Sequence, residues 1–96
     1  MVFRKEYPRL ANFLGCWFPD ADLEGATDGE VVATFVQVSS RREVEACVAE
    51  GERLLKCAEF PYREVAKEAN RHFGDEEDGR RWFTGIMGLL KEGIAP

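Results

Sequence analysis

Between Leu10 and Ser40 the chain has no lysine or arginine. A groove that holds phosphates needs several such cations, so this third of the protein is excluded as a nucleic-acid surface. Histidine occurs once, as His72. That excludes metal centres built on several imidazoles and leaves a Cys–His pair as the sole thiol mechanism. No cysteine stands in a nucleophile motif, and a lone histidine near a helix end is more often a surface or capping residue than a base. Cysteine itself is scarce: Cys16, Cys47 and Cys57 are spaced 31 and 10 apart. The odd number and the spacing fit neither a disulfide framework nor a paired metal motif, so the three are expected as reduced, buried, small apolar residues. The nine glycines form no phosphate-cradling pattern of the Walker or dinucleotide type, which removes nucleotide binding.

Long apolar runs are also missing. The longest, Val31 to Val36, is interrupted by Thr34 and falls far short of the ~18 residues that cross a bilayer. Arg4, Lys5 and Glu6 precede Tyr7 and Pro8 with no small-residue cleavage pattern after them, so the expected compartment is the cytoplasm.

What is present is globular. Of 96 residues, 45% are hydrophobic and 32% charged, which is far from the composition of disordered chains. A chain of this size makes one domain, here residues 1–96, able to bury roughly 65% of its unfolded surface. Thirteen basic against 18 acidic residues give a net charge of −5. Asp20, Asp22, Glu24, Asp28 and Glu30 fall in the cation-free stretch and account for all of it, so the remainder of the chain sums to zero. A second block follows at Asp75, Glu76, Glu77 and Asp78. Two acidic patches repel phosphate backbones and steer a basic partner, so these nine carboxylates are the candidate contact residues for a basic protein rather than for nucleic acid or a membrane. The plain alternative is a solubilising face.

Neither patch carries chemistry. Asp20-x-Asp22-x-Glu24-Gly25 imitates a calcium loop, but the twelfth position is Val31 where a bidentate glutamate is needed, so no metal or cofactor is expected. Nothing sets a carboxylate in an apolar, pKa-raising environment, so no enzyme is expected either. Phe13, Trp17 and Phe18 precede the first acidic stretch. Large apolar groups beside carboxylates make a protein-binding hot spot, although Phe13 and Trp17 also read as core, and Trp82 more so.

The hydrophobic spacing reads as an all-α single-domain bundle of about five short helices. Tyr7, Leu10, Leu14 and Trp17 define a first helix over about 7–15, with Gly15, Pro19 and Gly25 marking a loop after it. Thr27 and Glu30 form a capping box before Val31, Val32, Phe35 and Val36, which favours helix over the strand that β-branched composition suggests. Ser40 and Glu43 open a further helix, the longest, to about residue 58. Within it Gly51 implies the close approach of a neighbouring helix. Pro61 starts a helix with Tyr62, Val65, Ala69 and Phe73 on one face and Gly74 as its cap. Asp78 caps the last, which carries Trp82, Phe83, Ile86, Leu89 and Leu90 and stops at Gly93.

Tyr7-Pro8-x-Leu10-x-x-Phe13-Leu14-Gly15-x-Trp17-Phe18-x-Asp20, the acidic stretch, and Val31-Val32-x-x-Phe35-Val36 resemble the opening of a family of small immunity proteins of bacterial contact-dependent growth inhibition systems. Glu52-x-Leu54-Leu55 and Asp78-Gly79-x-x-Trp82-Phe83-x-x-Ile86 are similar to that family's second half. The chain departs from the family pattern at Phe18-Pro19-Asp20 and in the short loop from Gly74 to Gly79. The resemblance implies a non-enzymatic cytoplasmic protein that binds and neutralises the toxin domain delivered by a neighbouring cell. Many such toxins are nucleases, whose basic substrate grooves an acidic protein can occupy as a phosphate mimic. The alternative is an acidic helical adaptor or anti-activator of another basic host protein.

Overall fold

Thr27 shows how local chemistry sets the helix boundaries. Its hydroxyl accepts the N–H of Glu30, the Glu30 carboxylate accepts the N–H of Thr27, and a helix follows despite the β-branched run. The computed structural model describes residues 3–95, apart from the side chain of Asp22, and among them every regular element is helical. In chain order these are α1 (Phe3–Glu6), α2 (Pro8–Glu24), α3 (Asp28–Val38), α4 (Arg41–Leu55), α5 (Tyr62–Ala69) and α6 (Glu76–Gly93). The five expected segments correspond to α2 to α6, and α1 is an additional single turn.

The largest correction is at α2, which does not stop near residue 15 but continues through Pro19 to Glu24. A proline inside a helix costs about 3 kcal/mol, because it removes one backbone bond and crowds the carbonyl four residues earlier. Phe18 and Ala21 prolong the buried stripe of Leu10 and Leu14. Full burial of a phenylalanine contributes about 1.5–3 kcal/mol. Phe18 also meets Phe13 and Trp82 edge-on at 5.3 and 5.4 Å, adding about 0.5–1.5 kcal/mol per ring pair. Packing outweighs the proline, and the helix ends instead at Gly25, whose φ of 73° suits glycine.

Three other boundaries differ from these expectations. α4 ends at Leu55, not near 58, and at 15 residues is shorter than the 18-residue α6. There Arg80 donates to the carbonyls of Leu55 and Cys57, and the chain turns to bury Phe60 beside Phe83. α5 ends at Ala69 with Asn70 in the left-handed region, φ 55°, so Asn70 and not Gly74 takes the cap, and Phe73 lies beyond the helix. α6 is capped by Asp75, which accepts the Asp78 N–H at 2.9 Å, while Asp78 accepts the Gly74 N–H at 3.0 Å. Ser40 caps α4 as expected, but the Glu43 carboxylate pairs with Arg9 at 2.6 Å instead of closing the box.

Helices α3, α4 and α5 each pack against both α2 and α6. At the α4–α6 crossing, a Cβ on Gly51 would lie 2.2 Å from Met87 Sδ, so glycine at this position leaves the room that the buried Met87 side chain fills. Rings run through the core as a chain from Trp17 to Phe35, Phe13, Phe18, Trp82 and Phe73, with successive centroids 4.4–5.5 Å apart. Trp17 at one end and Trp82 and Phe73 at the other are only partly buried. The cysteines do not behave alike: Cys47 is buried, Cys57 is half-buried and Cys16 is exposed. Burial pushes the Cys47 thiol up to about 12, whereas Cys16 faces outward because it sits on the solvent side of the extended α2.

Candidate functional site

Because α2 passes through Pro19, Asp20 and Glu24 stand one turn apart on a helix rather than in a loop. Cys16, Asp20, Leu23 and Glu24, at i, i+4, i+7 and i+8, share its outward stripe. Leu23 is 88% exposed. Between this stripe and the first turns of α3 lies a groove of about 460 Å³. Cys16, Trp17, Asp20 and Glu24 line one wall, Val31 and Thr34 the other, with Ala21 and Ala26 between. Trp17 is held by edge-on contact with Phe35 at 5.5 Å, which leaves part of its indole at the groove. Among the described residues, none bonds or pairs with the carboxylates of Asp20 and Glu24.

Six of the remaining candidate carboxylates have partners within the fold. Asp28 is only partly exposed and accepts from Arg71 Nη2 at 2.6 Å and from Trp82 Nε1 at 2.7 Å. It ties the start of α3 to the α5–α6 loop and to α6. Glu30 is exposed and closes the capping box, and the N–H of Thr27 holds its carboxyl below the ordinary 4.5. Asp75 and Asp78 form the α6 cap described above. Glu76 accepts the N–H of Phe60 and lies 3.5 Å from Arg80, and Glu77 lies 3.4 Å from Arg81. Acidic side chains in a first helical turn also complement the helix dipole, and of this block Glu77 stays largely exposed, at 82%. Asp22 falls outside the described side chains.

The groove thus gathers two of the nine candidates, Asp20 and Glu24, with Trp17 beside them. Phe13 and Phe18, expected with Trp17, are fully buried. Sequence reasoning missed Leu23 and Cys16, and the signal for both was the helical spacing continuing beyond Pro19. It also missed the Arg71 and Trp82 contacts of Asp28, which no local pattern signals. His72 is exposed, and no described helix is long and apolar enough to cross a membrane.

A family model described as CdiI immunity protein matches residues 6–90. The chain belongs to the CdiI immunity family. Its matched span begins just before the Tyr7-Pro8 block, includes all nine candidate carboxylates and ends within α6. CdiI proteins neutralise toxins of contact-dependent growth inhibition, so the partner implied by membership is a cognate toxin protein and the role is that of an inhibitor. No curated protein and no solved structure matches the chain.

Proposed function

We propose that this CdiI protein acts in the cytoplasm by binding a nuclease toxin stoichiometrically through its α2–α3 face. Asp20, Glu24 and Glu30, with Asp22 between the first two in sequence, meet a basic toxin surface that otherwise holds phosphates. The observation that carries this reading is the division among the carboxylates. Asp20 and Glu24 have no partner among the described residues and flank a half-buried tryptophan, in a stretch without a single lysine or arginine. A field of one sign steers association, raising the rate constant toward 10⁸–10⁹ M⁻¹s⁻¹ at low salt against roughly 10⁵–10⁶ for neutral surfaces. An incoming toxin must be captured before it reaches its substrate, and steering serves that need.

The test is stopped-flow association with the toxin domain encoded by the adjacent gene, at low and high salt. Asp20→Lys combined with Glu24→Lys is expected to slow association about tenfold or more and to flatten its salt dependence. Glu77→Lys, which alters an exposed residue of the second block, is expected to change the rate far less. Wild-type rates that do not respond to ionic strength would sink the electrostatic reading. A toxin that cleaves neither RNA nor DNA would remove the nuclease part.

A further inference from the structure

We propose that the groove between α2 and α3 receives a single arginine side chain of the toxin. This rests on the binding face proposed above and names the chemical group that the face recognises. The walls select it by complementarity. Trp17, Ala21, Ala26 and Val31 supply apolar surface for a methylene stem. The exposed part of the Trp17 indole offers a π-system on which a planar cation stacks. At the rim, Asp20 and Glu24 stand one turn apart on α2 with no competing cation among the described residues. Two carboxylates in that register present four acceptor oxygens to the five donors of a guanidinium fork.

A lysine fits less well. Its ammonium is a compact, strongly hydrated point charge that neither stacks on an indole nor reaches two carboxylates in one plane. A neutral or acidic side chain would strip water from Asp20 and Glu24 without replacing it. Leu23, 88% exposed on the same stripe, adds an apolar contact beside the groove that a free protein gains nothing by exposing.

Two measurements test the assignment. In the first, the protein is titrated with N-acetyl-arginine amide and, separately, with N-acetyl-lysine amide, followed by NMR at the indole N–H and backbone amides. The arginine probe is expected to shift Trp17 and amides across residues 16–34 at several-fold lower concentration than the lysine probe, and Asp20→Asn with Glu24→Gln is expected to abolish the effect. Shifts that are absent, or equal for the two probes, overturn the proposal. In the second, calorimetry measures the cognate toxin domain against wild type and the same double variant. These exposed isosteric changes leave the fold intact, which an unchanged melting temperature verifies. Loss of affinity by about tenfold or more supports the groove. Affinity within about twofold of wild type overturns the groove and leaves the broader binding face standing. A toxin that fails to bind the wild type overturns both.

Discussion

Replacing Asp28 by alanine separates the two roles a carboxylate in this stretch can have, contact or brace. Its Oδ1 accepts from Arg71 at 2.6 Å and its Oδ2 from the Trp82 indole at 2.7 Å. The side chains of Asp28 and Arg71 are 33% and 18% exposed, so water screens the ion pair only in part. A charged hydrogen bond contributes about 1.5–3 kcal/mol, and partial exposure brings the ion pair toward the lower end of that range. Losing the acceptor of a half-buried indole N–H costs about 1 kcal/mol more, for a total of about 2–3 kcal/mol. In a domain of this length each kcal/mol moves the melting temperature by about 4–8 °C, so Asp28→Ala is expected to lower it by about 10–20 °C. Asp28→Asn, which keeps an acceptor for the indole but loses the charge, is expected to fall about halfway. Thermal unfolding by circular dichroism reads the stability, and calorimetry below the transition reads the affinity of the folded protein for toxin, expected to change little. A melting temperature within about 2 °C of wild type together with lost affinity would refute the brace and make Asp28 a contact.

At the α4–α6 crossing, Gly51→Ala gains about 1 kcal/mol of helix propensity but forces Met87, buried and 2.2 Å from the new Cβ, out of place. Overpacking costs about 1–3 kcal/mol, so a net loss of about 1 kcal/mol is expected in urea unfolding. In a Met87→Ala background the same change should be neutral or stabilising, and a stabilising Gly51→Ala in the wild type would contradict the packing argument. The capping box predicts an acid limb. Since the folded Glu30 binds its proton less readily than the ordinary 4.5, its contribution is complete above that value. It is lost as the pH falls through the lowered folded value. Glu30→Gln should therefore make stability fall less steeply as the pH drops below about 4.5. Some slope persists, because Glu52 is lowered in the same way by Lys91. Identical slopes for variant and wild type would count against the box.

Thr27 and Ser40 were legible as helix starts because capping chemistry acts over three residues of chain, and Pro61 because its ring fixes φ and it has no N–H to leave unpaired. Gly51 was legible as a crossing because glycine in a helix interior costs stability unless something must come close. The face carrying Asp20 and Glu24 was legible only in part. Pro19 and the flanking glycines carry a strong local loop signal, and it was overridden by Phe18 and Ala21, whose burial depends on α3 and α6 arriving from elsewhere in the chain.

By itself, the sequence determined the helical class, most helix starts and a net charge concentrated in one cation-free stretch, since these follow from spacing, short-range bonds and simple counting. Only the tertiary structure decided which carboxylates are bonded to distant parts of the fold. Asp28 finds Arg71 and Trp82 at separations of 43 and 54 residues, and Glu76 finds the N–H of Phe60 across 16. Among the described residues, Asp20 and Glu24 meet no such donor. A hydrogen bond between distant residues depends on where the whole core places them, and no window of sequence contains that information.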